Sequence, residues 1–208
     1  HGGRYLHAPH YLQGAPASLA GVYCVDHRGH GRSEGLRGHV DRFDDFTDDA
    51  AVAIKRLDGA LRSRYGSSEI HVLGHSMGGL VTLRALFQHT GLPIRSVTVT
   101  APLLGIKVAL PLVKRAAARM LSHVWGSLHM DTEIDPSHLS HDPEVGRVYL
   151  ADRLVHKKGT PKLYTELTAA IADTNRRDQG IDYPLQVSVP QQDAIVDPEA
   201  TLTFFRNL

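Results

Sequence analysis

The stretch that most constrains the fold is Ile70-His71-Val72-Leu73-Gly74-His75-Ser76-Met77-Gly78-Gly79-Leu80-Val81. Glu69 to Leu73 is a β-rich apolar run, and Gly79 to Phe87 continues as a helix that Gly91 and Pro93 stop. Between them lies a very tight turn. Small residues at Gly74 and Gly78 are expected to let it close, because a side chain there would collide with neighbouring backbone. Ser76 sits at the apex, pointing out of the fold, beside helix N-terminal N–H groups that lack intrahelical partners. A nucleophile is thus presented next to an anion site. A phosphate-binding turn and a plain strand-to-helix turn compete with this reading. The strand–turn–helix context, rather than the Gly-x-Ser-x-Gly spacing, favours the nucleophile.

The 208 residues suffice for one domain with a core and a sizeable insertion. Lys+Arg 23 against Asp+Glu 22 leaves a net charge of +1, which carries no footprint of a nucleic-acid or acidic partner. Cys24 is the single cysteine, so no disulfide framework or cysteine metal cluster exists. Within Gly21 to Val25 it reads as a small hydrophobe buried in a strand. The longest uncharged run, Tyr5 to Val25, holds His7, Pro9, His10, Gln13, Pro16 and Ser18 and cannot span a membrane. With no signal core recognised, the expectation is a cytoplasmic protein, with peripheral membrane contact left open.

In chain order, Arg4 to Ala20 reads as mixed helix and loop, interrupted by Pro9 and Pro16. Ala20 to Asp26 reads as a buried strand running into the Gly-rich loop Asp26-His27-Arg28-Gly29-His30-Gly31-Arg32-Ser33-Glu34-Gly35. In parallel sheets, sites are built at that carboxyl edge. His27, His30 and His39 raise the question of a metal, but two of them lie in a Gly-rich turn, so no metal is expected. Asp41 to Tyr65 is the clearest helix. Phe46, Ala50, Ile54, Leu57, Leu61 and Tyr65 form its stripe, with acids toward its start and bases toward its end. Arg95 to Thr100 and Leu185 to Val189 are further strands, and strands alternating with helices indicate a mostly parallel α/β sheet with helices on both faces.

Residues 106–180 read as an all-helical insertion between a core of 1–105 and a return to that core at 181–208. Pro111 to Trp125 is amphipathic, with Val113, Ala117, Met120, Leu121 and Val124 on one face and Lys114, Arg115, Ala118, Arg119 and Ser122 on the other. Asp142-Pro143 and Thr160-Pro161 each pair an N-cap with proline at the first helical position. The apolar face either packs ordinarily or lines a lipid pocket over Ser76, and the basic face offers contact with an anionic membrane surface. Past the last strand two acids compete. Asp197 precedes Pro198 and Glu199 and reads as an N-cap. Asp193 lies just beyond the strand's carboxyl end, where a catalytic acid belongs.

Taken together, Gly3-Arg4-Tyr5, Asp26 to Gly35, Gly74-His75-Ser76-Met77-Gly78-Gly79, Ile134-Asp135-Pro136, Leu139-Ser140, Asp142 to Val145, Asp152, Leu154-Val155 and Asp193 resemble the α/β-hydrolase superfamily. The closer resemblance is to its monoacylglycerol lipase and lysophospholipase branch, and it covers nearly the whole chain. It implies an eight-stranded, mostly parallel sheet with a helical cap after the sixth strand. It also implies Ser76 as nucleophile, Asp193 as the orienting acid and the Met77 backbone N–H as one oxyanion donor. His75 is read as structural. The expected substrate is a small-molecule acyl ester or lipid with a glycerol or glycerophospho head group. No cofactor and no obligate protein partner are implied. A short-chain esterase, an aminopeptidase and a non-catalytic relative are the alternatives.

The departures are specific. All 14 histidines lie at or before His156, and none follows Asp193. The resemblance implies a catalytic histidine beyond Leu208, and a His-Gly oxyanion loop and three strands before His1. The family's third strand lies between its fourth and fifth, which here leaves a gap between Ala20–Asp26 and Glu69–Leu73. The expectation is therefore an internal fragment of such a hydrolase, inactive as it stands.

Overall fold

A computed structural model of the chain describes residues 19–107, 111–132 and 135–208. Gly3-Arg4-Tyr5, Ile134 and most of the mixed segment expected over 4–20 lie outside the described residues.

Three parallel strands carry the fold: β1 (His71–His75), β2 (Ser96–Thr100) and β5 (Leu185–Ser188), in the order β1-β2-β5. Their register aligns His75 with Thr100 and Thr100 with Ser188, so all three strands end at one level. Burial alternates as a sheet requires, with Val97 and Val99 inside and His71, Leu73 and His75 on an exposed face.

Helix α1 (Asp44–Tyr65) starts with Asp44 and Asp45 and ends with Arg62 and Arg64, in agreement with the helix dipole. Gly66, at φ 75°, closes it by donating its N–H to the Arg62 carbonyl. Its stripe is graded: Phe46 is fully buried, Ile54 half-buried and Tyr65 exposed. Helix α2 (Met77–Gln88) follows β1 and is almost wholly buried, including its single charge, Arg84. The Arg84 guanidinium donates to Asp44 Oδ1 at 2.6 Å, Asp173 Oδ2 at 2.8 Å and Thr174 Oγ1 at 3.3 Å, joining three helices.

Between β2 and β5 stand α3 (Leu112–Val124), a 3₁₀ turn (Pro136–His138), α4 (Pro143–Ala151) and α5 (Pro161–Thr174). Asp142 and Thr160 cap α4 and α5, accepting from the Glu144 and Leu163 N–H groups. The insertion is not all-helical. Met130–Asp131 (β3) pairs antiparallel with Lys158–Gly159 (β4), and strands of two residues leave no readable periodicity. Helix α6 (Pro198–Arg206) follows β5, capped by Asp197 as expected.

Two further expectations fail. Residues 19–27 have no regular secondary structure, and Val22, Tyr23, Cys24 and Val25 are exposed. A β-rich sequence becomes a strand only when a neighbour completes its ladder, and no described strand pairs with this segment. On α3 the buried side is turned away from most of the apolar stripe. Ala118, assigned to the polar side, is its buried residue, whereas Leu112, Val113, Met120 and Val124 are 65–81% exposed. The helix packs on α5, and the Lys162 N–H donates to the Gly126 carbonyl.

The loop after Asp26 docks beside the β3–β4 pair. His129 Nε2 donates to the Arg37 carbonyl at 3.0 Å, Thr160 Oγ1 donates to the Gly38 carbonyl at 3.2 Å, and the His30 and His156 rings lie 4.9 Å apart. Burial pushes the His30 pKa down to about 3, opposed by its bond to the Arg28 carbonyl. Burial also lowers those of His27 and His156. A histidine whose folded pKa lies below its unfolded value takes up more protons when unfolded. Stability is therefore complete above pH 6.5 or so and falls with pH toward 4. His30 alone is expected to remove about 3 kcal/mol between pH 8 and pH 4. Urea midpoints across that range check this, and His30→Asn should flatten the dependence.

Candidate active site

Ser76 follows β1 directly, with φ 53° and ψ −119°, a conformation that non-glycine residues rarely adopt. Its main chain is tied down on all sides. The N–H donates to the Thr100 carbonyl at 3.0 Å, and the carbonyl accepts from Gly79, Leu80 and Leu103 at 2.9–3.2 Å. Ala101, immediately after β2, is the second non-glycine residue at positive φ among the described residues. Two strained residues thus lie side by side at the sheet's carboxyl edge, a place where rigid surroundings sustain functional strain. The strain at Ala101 left no trace in the sequence.

The expectation of crowding holds at Gly74, where a Cβ would come within 2.6 Å of Thr82 Oγ1 and 2.7 Å of the Gly78 carbonyl oxygen. It fails at Gly78, where a Cβ would meet nothing within 4 Å. The second confined position is Gly79, whose Cβ would lie 2.9 Å from the Pro102 backbone. The elbow is thus pressed against the segment leaving β2, and not only against its own turn.

Met77 is the first residue of α2, and its N–H belongs to the set that an α-helix leaves without an intrahelical acceptor. The dipole of the buried helix is directed at the same spot. His75 alternates to the exposed sheet face, where its Nδ1 lies 2.9 Å from Thr100 Oγ1. Crowding around its ring lowers its pKa, and the Thr100 bond and the Asp193 charge oppose that shift.

Asp193 stands in the loop five residues beyond the end of β5. Its Oδ1 accepts the N–H groups of Ile195 and Val196, each at 2.8 Å, which fixes one carboxylate oxygen and leaves the other for a second partner. With Ala101, Val189 and Val196 it lines a shallow depression. Since β1, β2 and β5 end in register, Ser76, Ala101 and the Asp193 loop rise from one edge. Asp197 bonds the Glu199 N–H instead, as a cap. Histidines elsewhere are engaged with other groups: His39 with Thr160, His89 with Asp48, His129 with Arg37 and His156 with Lys158.

The chain is 32% identical over 161 residues to the monoacylglycerol lipase of Mycolicibacterium smegmatis, covering 77% of this chain and 54% of that protein. It is 28% identical over 198 residues to the mouse monoglyceride lipase, covering 95% and 63%. The chain therefore spans about half to two thirds of the length of these relatives. Among solved structures, the monoacylglycerol lipase of Paleococcus ferrophilus superposes with a TM-score of 0.75 at 27% identity, over 90% of this chain and 68% of that one. A soluble variant of the Saccharomyces cerevisiae monoglyceride lipase, at 20% identity and a TM-score of 0.74, shares the fold over 88% and 62%. The family model described as serine aminopeptidase, S33, matches residues 1–208, and the chain belongs to that family of α/β-hydrolases.

Proposed function

We propose that this chain carries the nucleophile and orienting acid of a serine carboxylic ester hydrolase acting on acyl glycerol or glycerophospho lipids. Ser76 Oγ gives its proton to a histidine base and bonds the ester carbonyl carbon. The Met77 N–H holds the resulting oxyanion, and the alcohol departs with the proton from the histidine. Water then cleaves the acyl-enzyme, releasing the fatty acid and restoring Ser76. Asp193 orients the histidine base. The carrying observation is the strained Ser76 elbow on the sheet edge from which the Asp193 loop also rises.

Residues 106–180 act as the cap, between the core of 1–105 and its return at 181–208. The uncovered stripe of α3, extended by Trp125 at 59% exposure, supports peripheral contact with a lipid surface. No acid occurs between Glu69 and Asp131, while Lys107, Lys114, Arg115 and Arg119 all fall in that interval. No described helix is long and apolar enough to cross a membrane. Flotation with phosphatidylglycerol vesicles is expected to carry the protein, and Val113→Asp with Val124→Asp to release it. Equal flotation of both forms contradicts the contact.

A panel of p-nitrophenyl esters of rising acyl length, with monoacylglycerol, lysophospholipid and aminoacyl anilides, tests the substrate class on the full-length enzyme. Turnover rising toward medium and long acyl chains is expected. A short-chain-only or anilide-only profile sinks the lipid reading.

A further inference from the structure

We propose that Lys107, at the root of the cap, is a positioning residue for the catalytic acid. The inference rests on the reading of Asp193 as that acid. The chain leaving β2 reaches Gly105-Ile106-Lys107 and meets the acid loop there in an isolated antiparallel bridge between Ile106 and Val196. The Lys107 N–H donates to the Ile195 carbonyl at 2.9 Å, and the Asp197 N–H donates to the Gly105 carbonyl at 3.0 Å. The crossing is close: a Cβ on Gly105 would come within 2.6 Å of the Ala200 Cβ and 2.9 Å of the Asp197 Cβ. The register at this point therefore has little room to slide.

The bridge holds residues 195–197, downstream of the acid. Asp193 itself is held by two kinds of bond. Its carboxylate accepts from the Ile195 and Val196 N–H groups, and its main-chain carbonyl accepts from the Lys107 ammonium at 3.0 Å. The carboxylate bonds come from within the loop and turn with it. The ammonium reaches Asp193 from the opposite segment and braces the loop against rotation about the bridge. Lys107 is exposed, so its bond contributes little to global stability, and its loss acts on the placement of the acid. Displacement of a catalytic group by about 1 Å can lower turnover up to ~100-fold. Because Lys107 lies where the cap begins, movement of the cap root is transmitted to the acid.

The test compares Lys107→Met and Lys107→Arg with the unsubstituted full-length enzyme, using an acyl p-nitrophenyl ester. Lys107→Met is expected to lower kcat about three- to tenfold, with KM and the thermal midpoint unchanged, and Lys107→Arg to restore most of the loss. Unchanged kcat in Lys107→Met overturns the proposal, as does a loss confined to KM or one that arginine does not restore. Absence of turnover in the unsubstituted enzyme overturns the hydrolase reading instead, and the proposal falls with it.

Discussion

Replacing Ser76 by Ala in the full-length enzyme is expected to lower ester turnover by about 10⁴-fold or more while leaving the protein folded. The fold should survive because the bonds that seat this residue belong to its main chain, to Thr100, Gly79, Leu80 and Leu103, and alanine retains all of them. The strain at φ 53° is also retained, since it arises from Cβ, which both residues carry. Ser76→Gly provides the matching control. It should be as inactive as Ser76→Ala yet more stable by about 1 kcal/mol, because glycine removes the backbone cost of the elbow. Turnover with the ester panel and urea midpoints of the three proteins check both parts. Activity within tenfold of the unsubstituted enzyme in either variant would remove Ser76 from the chemistry.

Replacing Arg84 by Met should destabilise the protein by roughly 3 kcal/mol, far more than removing either carboxylate it binds. The difference follows from connectivity. Arg84, 8% exposed, donates every bond of the junction, including those to the buried Ala170 carbonyl and Thr174 hydroxyl, and methionine donates none, whereas either asparagine keeps an acceptor oxygen and leaves the other carboxylate in place. Burial works to raise the Asp44 pKa, yet hydrogen bonds from Gln88 and Arg84 outweigh it and the net shift is downward. Asp44→Asn and Asp173→Asn should each cost about 1 kcal/mol. Arg84→Lys should recover little, because one ammonium cannot span three acceptors on two helices as a guanidinium does. Urea midpoints for the four variants measure this, and a cost for Arg84→Met no larger than for the aspartates would show the junction to be dispensable. Since Asp173 belongs to α5, the same junction ties the insertion to the elbow helix.

The elbow was legible because a short strand, a confined turn and a helix must follow one another in sequence, and all of the required residues are local. Helix α1 and the three caps at Asp142, Thr160 and Asp197, each followed by a proline, were legible for the same reason. What escaped depends on partners remote in sequence. Residues 20–26 have the composition of a strand, but a strand exists only through its neighbour, and β1 does not pair with them. The stripe on α3 was a correct periodicity, but its apolar face does not pack as core: most of it is exposed and Ala118 is the buried residue, because the face that packs is chosen by elements remote in sequence. Crowding at Gly79 comes from Pro102, more than twenty residues away, whereas Gly78 is open. Lys107 carried no signal, because its role depends on the acid loop crossing it. Arg84 did leave one: it is the single charge in a twelve-residue helix that is otherwise uncharged, and such a charge must find buried partners.

The central claim is that Ser76 is an activated nucleophile, and covalent labelling tests it most directly. The full-length enzyme treated with a fluorophosphonate at pH 8 and digested should yield one modified peptide, spanning Ser76, that is absent from Ser76→Ala. A modified residue elsewhere, or no adduct on a folded protein that hydrolyses esters, would contradict it.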